Sequence, residues 1–323
     1  LNKPILSFRN LSIVFDSPDG LVPAVRDADF SVPQAGSVAL VGESGCGKSV
    51  TALSAMGLVP QPGRVVSGEV IFDGHDVTAM SPDALKKMRA TDVAIVFQEP
   101  RSSLNPVFTV GFHLAEAIGK GAGLSKAQLA ARSCELLREV GIADAERRLK
   151  AYPFELSGGL CQRVMISCAI ARSPRLLIAD EPTTALDVTV EAQIMGLLDR
   201  LRAERKMALL MVTHDLGLVA QHADEVVVMY AGYVVERAPV IELFDRPLHP
   251  YTTALLAAMP TGAGGQMPTP IPGNVPDPSR LGAGCPFCPR CTLADEECAR
   301  TLPLLEPYDV GRYVRCFKAG SHA

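Results

Sequence analysis

The sequence predicts an α/β protein with a phosphate-binding loop, a helical subdomain and a small cysteine-rich extension at its C-terminal end. Three observations predict it. Short apolar runs alternate with stretches of helical spacing over residues 38–212, the pattern of a mainly parallel sheet covered by helices. A glycine-rich segment, Gly42 to Ser49, stands between one apolar run and one helical stretch. Five of the nine cysteines crowd the last 39 residues, beyond a stretch too rich in Pro and Gly for a helix or sheet interior.

The elements follow in order. Leu11, Ile13 and Phe15 alternate with polar residues, as in a strand. Residues 38–41 are a short buried strand, and 48–58 read as helix. Strands are expected at 68–73 and 93–97. From 109 to 142 the spacing turns helical, with Leu129, Leu136, Leu137 and Val140 on one face, and marks an inserted helical subdomain at about 99–172. A helix after Ser157, a strand at 176–179, a helix from Val188 and a strand at 208–212 come next. Residues 225–236 read as a hairpin turned at Ala231-Gly232. Residues 1–259 thus form one large domain, 260–284, with six Pro and six Gly, a linker, and 285–323 a cysteine module. No internal repeat is evident.

Composition excludes some partners. With 31 basic against 35 acidic residues and a formal net charge of -4, the chain carries no global basic signal, so no nucleic-acid partner is expected. No apolar run approaches the roughly 20 residues that span a bilayer; the longest, 226–235, is short and interrupted by Gly232. The first ten residues lack a signal-peptide apolar stretch. A soluble cytoplasmic protein is expected, with membrane association through a partner.

Gly42, Glu43, Ser44, Gly45, Cys46, Gly47, Lys48 and Ser49 fit the P-loop pattern in its strand–loop–helix context. The glycines let backbone N–H groups close around phosphate oxygens, and the helix start points its positive end at them. Lys48 is expected on the β and γ phosphates, Ser49 on Mg²⁺, and Val50 beside the nucleotide in the first helical turn. Leu176 to Ala179 make a buried strand that delivers Asp180 and Glu181 at its C-terminal end, where open α/β sheets bind ligands. Asp180 suits Mg²⁺ and Glu181 suits polarising the attacking water. A strand ending in two acids is usually a solvated end; its pairing with the P-loop gives it weight.

Four further segments narrow the reading. Leu156-Ser157-Gly158-Gly159-Leu160-Cys161-Gln162 resembles the ABC signature sequence. Gln98, after the strand at 93–97, resembles the Q-loop glutamine; Ala185-Leu186-Asp187 resembles the D-loop; His214, after 208–212, resembles the switch histidine. These elements stand in the order of an ABC ATPase over residues 5–260. The resemblance implies a P-loop ATPase in which two subunits pack head to tail, each ATP lying between the P-loop of one and Ser157, Gly158 and Gly159 of the other. It implies that Asp187 lies at that interface, that His214 contacts the γ phosphate, that Gln98 senses Mg²⁺ and water, and that Phe15 stacks on adenine. Phe15 also reads as an ordinary strand core residue. Cys161 departs from the Arg or Gln usual in the signature, and Cys46 from the usual P-loop Ser; Cys46 is expected to make the site sensitive to thiol reagents.

Residues 97–106, with Gln98-Glu99-Pro100, and 243–252, with His249-Pro250-Tyr251-Thr252, are similar to segments of dipeptide and oligopeptide importer ATPases, as is Gly284-Cys285-Pro286-Phe287-Cys288-Pro289-Arg290-Cys291. That subfamily implies ATP-driven peptide import at the cytoplasmic face of the membrane, with two permease subunits, a second ATPase subunit (homologous or identical) and an extracytoplasmic substrate-binding protein. Nickel or glutathione import by the same subfamily is the alternative cargo, and a non-transport ABC ATPase is the alternative class. Cys285, Cys291, Cys298 and Cys316 match the four cysteines that hold a [4Fe–4S] cluster in some members. Cys288 adds a fifth, and Cys-x2-Cys-x2-Cys resembles the opening of a bacterial ferredoxin motif, so two sets of four are chemically available. Zinc and free thiols are the alternatives.

Overall fold

The computed structural model describes residues 3–119, 121, 123–184, 186–259 and 270–321. The chain divides into two compact units, Leu1–Met80 with Leu210–Ala323, and Ser81–Leu209. Of the expected linker, 260–269 lie outside the described residues. Its remainder holds one helical turn, Pro278–Arg280.

The strands in chain order are β1 (Leu6–Ser17), β2 (Gly20–Val32), β3 (Ser37–Val41), β4 (Gly63–Phe72), β5 (His75–Asp76), β6 (Val93–Val96), β7 (Leu176–Asp180), β8 (Ala208–Val212), β9 (Glu225–Tyr230), β10 (Tyr233–Pro239), β11 (Glu306–Asp309) and β12 (Arg312–Val314). In the first unit β2-β1-β4-β5 form an antiparallel sheet. Leu6, Phe8, Leu11 and Ile13 of β1 are buried. Their alternation slips by one residue where Asn10 takes a φ of 48° and the register shifts, as at a β-bulge. β11-β12-β10-β9-β3 lie side by side, β3 parallel to β9 and the others antiparallel.

The mainly parallel sheet expected from the sequence is therefore mixed. Parallel pairing occurs where the chemistry is expected, at β3–β9 and, in the second unit, at β6–β7. Antiparallel pairing arises where two residues join the strands, as at Ala231-Gly232 between β9 and β10; a parallel crossover needs far more chain. Ala231 and Gly232 both take positive φ, 47° and 88°, as a tight hairpin turn requires. Every residue of β3, β7 and β8 is buried, which explains their unbroken apolar runs.

The cysteine-bearing tail extends this unit rather than standing apart. β12 pairs with β10 through Glu236↔Val314 and Arg237↔Tyr313. Arg315, 2% exposed, donates from Nε to the Val234 carbonyl (3.0 Å) and from Nη1 to that of Pro303 (3.1 Å).

In the second unit the helical stretch expected over 109–142 is two helices, Val110–Ile118 and Lys126–Glu139. Gly119, with a φ of 83°, ends the first, and a capping box of Ser125 with Gln128 starts the second. Among the described residues no helix is long and apolar enough to cross a membrane.

Candidate functional site

In the first unit β3 leads into the loop at 42–47, and the helix Lys48–Ser54 leaves it. The loop can pass there only as glycine at two points. Gly42 has a φ of 148°, and a Cβ on it would lie 2.1 Å from the Met229 carbonyl oxygen. Gly47 has a φ of 101°, and a Cβ would lie 2.4 Å from the Ala24 carbonyl oxygen. Lys48 is buried; its Nζ donates to the carbonyls of Gly42 (2.8 Å) and Glu43 (3.0 Å). Ser44, Gly45 and Ser49 are exposed and Val50 is half-buried. Thr51 Oγ1 donates to the Gly47 carbonyl at 2.8 Å and ties the helix to the loop.

Cys46 is 1% exposed, and burial pushes its thiol up despite the neighbouring Lys48. Reagents must reach a thiol to react with it, so this burial argues against the thiol sensitivity expected at Cys46.

Phe15 lies half-buried near the end of β1, paired with Gly63 of β4. A Cβ on Gly63 would meet its ring at 2.7 Å, so the glycine makes room for the ring. His214 is exposed just past β8. Thr213 N–H donates to the Leu40 carbonyl at 3.2 Å, which places this segment beside the end of β3.

In the second unit β7 ends on buried Asp180. Glu181 follows with a φ of 46°, a left-handed conformation that costs a non-glycine residue about 1–3 kcal/mol. Its Oε2 accepts from Gln98 Nε2 (2.8 Å) and Thr184 Oγ1 (2.9 Å). Gln98 stands two residues past β6, which pairs with β7 at Val96↔Ala179. Parallel pairing thus brings two side chains 83 positions apart into contact.

Ser157 caps the helix Gly158–Ile170, its Oγ accepting from Leu160 N–H at 3.4 Å. Asp187 caps the helix Val188–Arg205 through Val190 N–H at 2.9 Å. Ser157, Gly158, Gly159 and Asp187 line one hollow of about 370 Å³ with Leu186 and Arg163. A Cβ on Gly159 would lie 2.7 Å from Val190 Cγ1, so the glycine sets how closely the two helices approach. Cys161 is fully buried, and its thiol donates to the Pro153 carbonyl at 3.3 Å. Ala185 lies outside the described residues.

Sequence reasoning missed the residues that grip the P-loop within the first unit. The Tyr251 hydroxyl accepts from Glu43 N–H at 3.0 Å. The Glu43 carboxylate takes both ends of the Arg290 guanidinium, at 2.7 and 3.0 Å. Tyr230, Tyr251 and Phe287 pack around them, with ring centroids 4.6–5.4 Å apart. Three of these residues fall inside segments that carry the subfamily resemblance, Tyr251 in His249-Pro250-Tyr251-Thr252, and Phe287 and Arg290 in Phe287-Cys288-Pro289-Arg290-Cys291. That was the only signal.

The cysteines of the tail form no disulfide among the described residues. Cys285 N–H donates to the Cys298 carbonyl at 2.8 Å, and Cys288 N–H to that of Cys285 at 3.0 Å. A Cβ on Gly284 would lie 2.4 Å from the Cys298 carbonyl oxygen, so glycine lets these segments meet. Burial pushes the thiols of Cys285 and Cys316 up to about 11. Among the described residues no group of three or more His, Cys, Asp or Glu side chains is placed to hold one metal ion. Cys285, Cys288, Cys291, Cys298 and Cys316 supply the thiolate donor type that either a [4Fe–4S] cluster or a structural zinc takes.

The ABC transporter family model matches residues 25–184, and the model described as oligopeptide/dipeptide transporter, C-terminal region, matches 235–298. The chain is 44% identical to the oligopeptide transport ATP-binding protein AppD of Bacillus subtilis, over 97% of this chain and 96% of that protein. It is 45% identical to the oligopeptide transport ATP-binding protein OppD of Escherichia coli, over 97% and 93%. Among solved structures it resembles the dimeric ATP-binding cassette MJ0796 with bound ADP and phosphate, with a TM-score of 0.65 and 26% identity over 73% of this chain and 98% of that one. A P-loop that needs glycine at Gly42 and Gly47, an acid-ended strand paired with a glutamine strand, and 44–45% identity over 97% of the chain agree: the chain belongs to the ABC transporter ATP-binding family, in its oligopeptide/dipeptide branch.

Proposed function

We propose that this chain binds MgATP and hydrolyses it to drive peptide import from the cytoplasmic face of the membrane. One observation carries the chemistry: Glu181 is held in a strained backbone at the end of β7, with Gln98 and Thr184 fixing its carboxylate. Strain maintained by surrounding contacts is a mark of a working residue. The relatives named as oligopeptide transport ATP-binding proteins support the cargo class.

Lys48 and the loop N–H groups from Gly42 to Val50 serve the phosphates, Phe15 the adenine and His214 the γ phosphate. Asp180, Gln98 and Glu181 serve Mg²⁺ and the attacking water. Ser49, Asp180 and Gln98 would hold Mg²⁺, which neutralises phosphate charge. Glu181 takes a proton from the attacking water as its oxygen bonds to the γ phosphorus and the bond to the β–γ bridging oxygen breaks. Ser157, Gly158, Gly159 and Asp187, which share one hollow, complete the ATP site of a second ATPase subunit, homologous or identical, packed head to tail. We assign residues 1–259 to the nucleotide-binding domain, about 99–172 to its helical subdomain, 260–284 to a linker and 285–323 to a cysteine module. Val107, Phe112 and Phe154, exposed at 69%, 42% and 70% in the second unit, offer an apolar surface for the two permease subunits. The extracytoplasmic binding protein selects cargo on the far side. Cys285, Cys291, Cys298 and Cys316, with Cys288 as alternative ligand, hold a [4Fe–4S] cluster that pins the tail.

Lys48→Ala tests the nucleotide reading. Losing a charged donor to phosphate should raise the Kd for MgATP about 10- to 100-fold, read by fluorescent nucleotide titration. An unchanged Kd would remove the loop from the site. Anaerobic purification should give iron and sulfide near about four per chain, and Cys291→Ser, which belongs to both ligand sets, should lose them. Zinc alone in the wild type, or full iron in the variant, would refute the assignment.

A further inference from the structure

The P-loop and the cysteine module meet in a two-point ion pair inside the first unit. Arg290 sits between Cys288 and Cys291; its Nη1 donates to Glu43 Oε2 at 2.7 Å and its Nη2 to Glu43 Oε1 at 3.0 Å. Both hydrogen bonds are charge-assisted, and the fork fixes orientation as well as distance. The guanidinium side chain is only 4% exposed and the carboxylate 27%. Nε donates to the Pro272 carbonyl at 2.8 Å, and Nη1 also donates to the Tyr230 hydroxyl at 3.2 Å. The guanidinium lies 5.7 Å from the Tyr230 ring centroid and 5.9 Å from that of Phe287. Phe287 itself belongs to the module.

Glu43 is thereby held from two sides. Its side chain is forked to Arg290, while its N–H donates to the Tyr251 hydroxyl and its carbonyl accepts from Lys48 Nζ. Burying a guanidinium is costly unless its partners are complete. Here its partners are the P-loop glutamate, the Tyr230 hydroxyl and the backbone carbonyls of Ile271 and Pro272. A chain of direct contacts therefore runs from the module through Arg290 and Glu43 to the phosphate-binding lysine.

We propose that Arg290 is a positioning residue for the P-loop: through its fork to Glu43 the folded cysteine module holds the Lys48-bearing loop in the geometry that binds nucleotide, so module order and nucleotide affinity are linked. The proposal rests on the nucleotide reading of the loop given above. Linkage is reciprocal, so nucleotide must also steady the module.

The test uses the full chain purified anaerobically, with Kd for MgATP, unfolding midpoint and amide hydrogen exchange measured for wild type, Arg290→Lys, Glu43→Gln and the double variant. Arg290→Lys keeps the charge but cannot form the fork. Each single change should weaken binding about tenfold, and the double should be no weaker than the worse single. Bound nucleotide should slow exchange over 285–291 in wild type and not in Glu43→Gln. A folded Arg290→Lys with wild-type affinity, additive losses in the double, or wild-type exchange that ignores bound nucleotide would each overturn the proposal. If Arg290→Lys fails to fold, the wild-type and Glu43→Gln exchange data decide alone. Lys48→Ala separates the two readings: if it too binds normally, the nucleotide assignment itself fails; if it alone weakens binding, only the coupling fails.

Discussion

Glu181→Gln is expected to lower ATP turnover by about 10²- to 10⁴-fold while leaving nucleotide binding intact, the range associated with losing a general base. The amide is nearly isosteric, and its oxygen can still accept from Gln98 and Thr184, the two donors now 2.8 and 2.9 Å from Oε2. The left-handed backbone at Glu181 is held by the end of β7 and the turn that follows, so it should survive the change. What is lost is the negative charge that draws a proton from water. Phosphate release and nucleotide Kd, measured on the same preparation, separate the two effects. With hydrolysis blocked, ATP should also hold two subunits together, which gel filtration would register as an ATP-dependent shift in size. Turnover within twofold of wild type would take Glu181 out of the mechanism and leave its strained backbone unexplained.

Gly42→Ala is expected to damage both stability and binding. The new Cβ would stand 2.1 Å from the Met229 carbonyl oxygen and 3.1 Å from its carbon. Met229 belongs to β9, which pairs in parallel with β3 up to Val41↔Val228. Neither strand can step aside without loosening a largely buried ladder. Backbone strain at positive φ alone costs about 1–3 kcal/mol, and the clash adds to it, so a loss of roughly 3 kcal/mol or more is expected. Gly45→Ala separates the two causes. Gly45 also has a positive φ, 79°, but no heavy atom lies within 4 Å of its Cβ position, so that variant bears strain without a clash and should lose only about 1 kcal/mol. Denaturant midpoints and MgATP affinities for both variants would check this. Equal losses at the two positions would mean that backbone strain, not the approach of β9, sets the cost.

Much of the site was legible because its requirements are local. A phosphate loop needs glycines at particular positions, a lysine and a hydroxyl in immediate succession, and all of them lie within Gly42 to Ser49. The apolar run that ends in Asp180 and Glu181 is equally local, as is the cap at Ser157. The break between the helices Val110–Ile118 and Lys126–Glu139 was missed, because periodicity over 109–142 ran through it, although Gly119 and the Ser125…Gln128 box mark it. The mixed sheet was not legible. Apolar runs report burial on two faces but not the direction of the neighbour, and no local pattern shows that β12 will pair with β10. Cys46 shows a further limit: residue type marks a thiol, but only packing decides that it is buried.

The sequence by itself determined the family and where the candidate P-loop, acidic strand end, signature, Q-loop and switch segments stand along the chain, because each is a short string whose residues are neighbours along the chain. Only the tertiary structure decided that Gln98 grips Glu181, that Ser157 and Asp187 share one hollow, and that Arg290 reaches back 247 positions to Glu43. Those contacts depend on strand pairing and burial across long separations, where the free energy of a contact belongs to the fold as a whole and leaves no periodic trace in the residues that make it.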